Sequence, residues 1–234
     1  MEKIVEKWNE EKGYKIQLYG FSPRVVIIGE SHHCSSDDVD KQIQLASVLK
    51  TDFLLHEFAR NYIFDFEQGT LSENPQYPAP KSALNFARTD FDYIPDEELA
   101  KFTNWLKVKG FKISLRKYEL GHSVFDSGED SNLGMIIKNR PPSLIRIVGC
   151  DVSKAEYNHY EEQNNIYLCT KDCSRDHHMF REKRFAQVIG DCVSQTTKPL
   201  IAIVGNYHIK PESFIHKALR RKGLEYLCIS QMKE

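Results

Sequence analysis

The sequence predicts an α/β domain: a mostly parallel central sheet covered by helices on both faces, with a site at the carboxyl ends of the strands. Two observations carry this expectation. RVVIIG (24–29) and LIAIVG (200–205) are continuous apolar runs rich in Val and Ile, the pattern of strands buried on both faces. Segments with helical apolar spacing alternate with such runs along the chain, which is the order of strand–helix–strand units.

The first predicted strand is Arg24–Gly29. A helix follows over Asp38–Lys50, with Val39, Ile43, Leu45, Ala46 and Leu49 as its apolar positions. DFLL (52–55) is the next strand, and Gln68–Ser82, with Pro75, Pro78 and Pro80, reads as a loop. Asp96–Lys109 reads as a helix, with Asp96 as its N-cap and Gly110 as its stop, because Asp satisfies the first N–H groups and Gly tolerates the exit geometry. FKISL (111–115) and LIRIVG (144–149) each carry one charged residue and are expected to be less enclosed strands. Between them, polar Gly121–Pro142 reads as a second loop. Loops this long are lids, binding segments or ordinary insertions. His178–Val193 has helical spacing, Pro211–Lys222 opens on Pro and stops before Gly223, and LEYLCI (224–229) is the last strand.

A chain of 234 residues fits one large domain or two small ones. One domain over 1–234 is expected, with a core of about 24–229 and insertions at about 68–82 and 121–142, because strands on both sides of Pro141-Pro142 carry the same kind of site residue. The residues are 41% hydrophobic and 28% charged, with a net charge of -1. That balance gives no signature of a nucleic-acid, membrane or polyanionic partner. No apolar run approaches the roughly 18–20 residues of a membrane span, and Met1–Tyr19 lacks a signal-peptide apolar core. A cytoplasmic location is expected, with Cys34, Cys150, Cys169, Cys173, Cys192 and Cys228 as reduced thiols. The expected partner is a small-molecule or peptide substrate.

The most telling feature is an internal echo. VVIIGESH (25–32) and IAIVGNYH (201–208) both end an apolar strand in Gly and place a His three residues later. Ligands of open α/β sheets bind just beyond the carboxyl ends of strands, so His32 and His208 are candidates to converge there. Carboxylates occupy comparable positions: Glu30 within the first motif, Glu57 after DFLLH and Asp151 after LIRIVGC. Each alone is a common N-cap or surface acid; their recurrence at strand ends makes them site candidates. Arg60 stands three residues after Glu57 as a salt-bridge partner for it, and Arg181 opens a helical stretch from which a guanidinium can hold an anionic group. His33 and His56 flank the site motifs, while His122, His159 and His216 read as surface or packing residues. Cys169, Cys173, His177 and His178 cluster at helical spacing but match no standard zinc motif, and incidental clustering is the preferred reading. The chain has no G-x-S-x-G elbow, P-loop or G-x-G-x-x-G.

The order GESH (29–32), LLHEFAR (54–60), RIVGCD (146–151), REKRFA (181–186) and IVGNYH (203–208) resembles the erythromycin esterase/ChaN/TraB/TIKI superfamily, most closely in its erythromycin esterase-like branch. The likeness runs over about residues 24–229 through short motifs. It implies an α/β fold whose site residues correspond to His32, Glu57 and His208, with Glu30 matching the GE-x-H variant and Arg181 the helix-opening Arg. Activities within that group include ester hydrolysis, divalent-metal-dependent proteolysis and haem or iron binding. Fold does not choose among them.

Two function classes follow. The first is a hydrolase, esterase- or peptidase-like, in which His32 is a general base or metal ligand, Glu57 and Asp151 orient it or bind metal, His208 is a second ligand or stabilises charge, and Arg181 holds an anion. Its metal form has His32, Glu57 and His208 around a divalent cation (Mn, Co, Zn or Fe); its other form needs no cofactor. The alternative is a non-catalytic protein of the same fold that binds iron, haem or another metal.

Overall fold

Every residue of strand β2 (Val25–Glu30) and of β3 (Phe53–His56) is buried, as continuous apolar strands in the middle of a covered sheet must be. The computed structural model describes residues 1–10, 12–31, 35–78, 96–114, 131–163 and 172–231. Within them, β1 (Lys15–Tyr19), β2, β3, β4 (Tyr62–Asp65), β5 (Thr70–Glu73), β6 (Lys112–Ser114), β7 (Arg146–Gly149), β8 (Leu200–Gly205) and β9 (Tyr226–Ser230) join one sheet in the order β1-β9-β2-β8-β3-β7-β4-β5-β6. The central strands β9, β2, β8, β3 and β7 are mutually parallel, while β1 and β4 run antiparallel to their neighbours in that block.

Alternate side chains of the parallel strands feed two cores. Val26, Ile28, Leu54, Ile147, Ile201 and Ile203 pack on one face with helices α1 (Glu2–Asn9), α2 (Ser36–Leu49), α3 (Asp96–Val108) and α4 (Asn132–Lys138). On the other face Val25, Ile27, Leu55, Val148, Ala202 and Val204 meet Phe185, Val188 and Ile189 of α6 (Asp172–Gln195) and Ile215 and Leu219 of α7 (Phe214–Arg221). A further helix, α5 (Lys154–Gln163), precedes α6. Helices thus cover both faces of a mostly parallel sheet, as the apolar runs predict.

α2 begins at Ser35, whose hydroxyl accepts from the Asp38 N–H while Asp38 reaches back, a reciprocal cap. Two segments expected as loops carry structure. β5 lies within 68–82, because Thr70–Glu73 pairs with β4 across a short turn. α4 lies within 121–142, capped by Ser131 and burying Leu133, Ile136 and Ile137. The charged residues of the less enclosed strands fall at their ends: Arg146 pairs with Asp65 at 2.7 Å, and Lys112 is exposed at the edge of the sheet. No described helix is long and apolar enough to cross a membrane.

The chain leaves β2 through α2 on one face and leaves β8 through α7 on the other. β2 and β8 are neighbours. Their carboxyl ends therefore flank a topological switch point, where the outgoing connections part to opposite faces of the sheet.

Candidate functional site

β8 ends at Gly205, and a short 3-10 turn, Asn206–Ile209, carries His208 back under the sheet end. The turn finds its room at Gly29, the residue before the last of β2. A Cβ on Gly29 would lie 2.3 Å from Ile209 Cδ1 and 2.5 Å from Asn206 Oδ1. The glycine of the first motif thus makes room for the His turn of the second.

His208 is buried. Its Nδ1 lies 3.0 Å from Glu182 Oε1, and the other oxygen of Glu182 accepts the Ile215 N–H at 3.1 Å. A carboxylate acceptor draws the imidazole proton to Nδ1, and in the neutral ring that tautomer leaves the lone pair on Nε2. Nε2 faces Glu57 Oε1 at 4.0 Å. The ring is boxed in by Phe185 and His178, both edge-on, at centroid separations of 4.9 and 5.2 Å. His178 in turn stacks on Tyr207, which is 64% exposed and forms the outer surface here.

Glu57 follows β3 in the 3-10 turn Glu57–Ala59 and is buried. Its Oε2 accepts the Gly205 N–H, and its Oε1 takes Nη2 of Arg181. Burial alone would raise the Glu57 pKa, but the guanidinium of Arg181, with the Gly205 N–H and the charge of Arg60, outweighs it and holds the carboxyl below its ordinary range. Arg181 also donates from Nε to Asp151 at 3.1 and 3.0 Å, one bond to each oxygen. Burial works against its charge, but Asp151 and Glu57 together drive its pKa above the ordinary value. Asp151 is fully buried, takes Arg60 Nη1 at 2.9 Å and accepts the Val152 N–H at 2.8 Å. Buried charges persist when paired and hydrogen-bonded in this way. Arg60 holds a φ of 52° with ψ of -121°, and its carbonyl accepts the Asp151 N–H at 3.1 Å. Gly149 admits that carbonyl, since a Cβ there would lie 2.1 Å from it.

Glu30 ends β2 in register with Gly205. It is buried, and its Oε2 accepts from Gln42 at 3.3 Å and Asn132 at 3.1 Å. Its Oε1 is buried and has no hydrogen-bond partner among the described residues. Burial, with the charge of Glu57 adding to it against the two amide donors, pushes the Glu30 pKa up to about 7. Glu30 and Glu57 follow β2 and β3, the strands on either side of β8, and their surroundings move them in opposite directions, Glu57 down and Glu30 up. Environments that split paired carboxylates this way are a mark of acid–base sites.

Glu57, Asp151, Arg181 and His208 are thus one connected group, and Glu30 stands at the adjoining strand end. His32, with His33 and Cys34, lies outside the described residues. Arg60, expected to pair with Glu57, bonds Asp151, and its charge also acts on Glu57. Sequence reasoning missed Glu182. The signal was present: Glu182 shares the spacing of Phe185, Ala186 and Ile189, so it is a carboxylate on the buried stripe of α6. His178 belongs to this site and lies four residues before Glu182, on the same stripe. Of its expected companions, Cys169 lies outside the described residues, while Cys173 and His177 fall in the first turns of α6. His56 caps the Glu57 turn by accepting the Phe58 N–H at 3.1 Å; burial lowers its pKa to about 4 and keeps it neutral. His216 is a packing residue, stacked on Tyr19 at 4.8 Å and bonded to the Tyr226 hydroxyl at 2.9 Å.

The expected metal ligands were His32, Glu57 and His208. The described part of that set is poor for a cation. Glu57 Oε1 already holds a guanidinium, a fixed positive charge at the place where the ion would stand. No group of three or more metal-ligating side chains occurs among the described residues. Comparisons with protein families, with curated proteins and with solved structures found no match.

Proposed function

We propose that the protein is a hydrolase that adds water across an ester or peptide bond, with His208 as its general base. One observation carries this reading: an imidazole held at Nδ1 by a buried carboxylate, its Nε2 turned toward an ionised Glu57 4.0 Å away. This is the orientation logic of carboxylate–histidine pairs in acyl-transfer enzymes. A water hydrogen-bonded to both groups sits about 2.8 Å from each, a spacing compatible with that gap. Nε2 takes a proton from this water while the oxygen attacks the carbonyl carbon. The negative charge of Glu57 favours the imidazolium that forms. Glu30, protonated, donates a hydrogen bond from its unpartnered Oε1 to the developing oxyanion. The tetrahedral adduct collapses, the carbon–oxygen or carbon–nitrogen bond breaks, and His208 returns its proton to the leaving group. Arg181 and Asp151 touch no reacting atom in this scheme; they fix Glu57.

The order of motifs, with its resemblance to the erythromycin esterase-like proteins, supports the same reading. The test is a panel of esters, lactones and peptides run in H2(18)O. Label in the released acid, lost in Glu57→Gln and His208→Ala, is the expected result. A folded protein that cleaves no member of any class overturns the proposal.

A further inference from the structure

A concavity lies at the other end of the sheet from His208. β4 ends at Asp65, which pairs with Arg146 at the start of β7, so the adjoining Phe66 stands at the amino-terminal edge of the parallel block, opposite the strand ends that carry His208. There a cavity of about 420 Å³ is lined by Phe66, Phe111, Ile137, Lys109, Lys138 and Arg140, with Gly69 and Pro142 completing the wall. That volume lies within the range of small-ligand sites.

Among the described residues that line it three are cations and none is acidic. Phe66 and Phe111 meet edge to face at 5.4 Å and form an aromatic floor. The Arg140 guanidinium lies 4.4 Å from the Phe66 ring centre, and its Nη1 donates to the Leu144 carbonyl at 3.1 Å. That side chain is held flat against the floor, with its charge offered to the cavity. Lys109 closes α3 and Lys138 ends α4, so two helix ends bring their cations to the same rim. A flat ring stacks on Phe and on a guanidinium plane, and an anion is drawn to the rim.

We propose that this cavity binds a small anion carrying a planar ring, the chemistry shared by aromatic carboxylates and mononucleotides. Ring and charge are both required. The ring stacks on the Arg140 guanidinium, which itself lies over Phe66, and the anionic group sits between Lys109 and Lys138. The site is separate from His208 and needs neither Glu57 nor Glu30.

The test is ligand-observed NMR titration of the full chain with 2-naphthoate and with adenosine monophosphate, using 2-naphthol, adenosine and inorganic phosphate as controls that lack one feature. At least one ring-bearing anion is expected to saturate, at least tenfold tighter than its neutral counterpart and than phosphate. Which of the two binds tighter identifies the source class. The Lys109→Gln/Lys138→Gln variant, both positions being exposed, should weaken that binding at least tenfold with an unchanged circular-dichroism spectrum. Should that variant lose its fold, Lys109→Gln alone reads the same loss. Saturation by neither anion, equal binding of the neutral rings, or wild-type affinity in the folded variants overturns the proposal.

Discussion

Glu182 Oε1 lies 3.0 Å from Nδ1 of His208, two residues that the chain places 26 positions apart. The partnership joins the longest described helix to the turn after β8 and decides which imidazole nitrogen is free. The proposed chemistry and several measurable consequences follow from it.

Glu182→Gln removes the acceptor-only partner and frees the imidazole to change tautomer. kcat is expected to fall by about a hundredfold or more, as orientation of a general base is worth roughly that much. Nitrogen-15 NMR of the His208 ring distinguishes this from a structural effect: wild type carries the proton on Nδ1, and the variant shows a mixture. Retention of the wild-type tautomer and rate would remove Glu182 from the account.

Arg181→Ala leaves Glu57 and Asp151 as buried carboxylates that have lost a shared guanidinium. Breaking a buried pair from one side costs about 3–5 kcal/mol, and denaturant titration reads it directly. A loss below about 1 kcal/mol would show that water reaches these carboxylates freely.

Glu30→Gln has two expected effects. In the folded protein the carboxyl titrates near 7, against an ordinary value of 4.5. Between those values the native state keeps a proton that the unfolded chain releases, so wild-type stability falls as pH rises through this window and levels off above it. The variant lacks that loss and is expected to gain stability over wild type, up to about 3 kcal/mol above pH 7. In the assay, wild-type turnover should decline as pH rises through about 7, when Glu30 ionises. Glutamine still donates a hydrogen bond, so the variant should keep partial activity and lose that decline. Identical pH profiles would refute the donor role.

Prolonged treatment with a chelator is expected to leave turnover unchanged, because Arg181 already supplies the positive charge at Glu57. Loss of activity on chelation, restored by one divalent ion, would return His32, Glu57 and His208 to the role of metal ligands.

The fold was legible where burial dictates sequence. VVIIGE and LIAIVG are enclosed on both faces and admit little but aliphatic residues, so their pattern announces them. β1, β4 and β5 lie outside that block and escaped notice because β1 has no buried residue, β5 has a single one, and β4 is only four residues long. α4 is only seven residues long and owes its place to packing on α2 rather than to a long periodic pattern. In the site, Glu57 and His208 were visible because each follows a buried strand directly. Asp151 was visible for the same reason, yet its partners, two guanidiniums, mark it as an anchor. Glu182 was hidden inside a charged run, REKR, in which only the helical phase separates the inward carboxylate from its outward neighbour Lys183.

The measurement that bears hardest on the account is the turnover of His208→Ala beside wild type, on whichever substrate the wild type cleaves fastest, with both proteins shown to be folded. The account predicts a loss of at least a hundredfold. An alanine variant that turns over at the wild-type rate would contradict it.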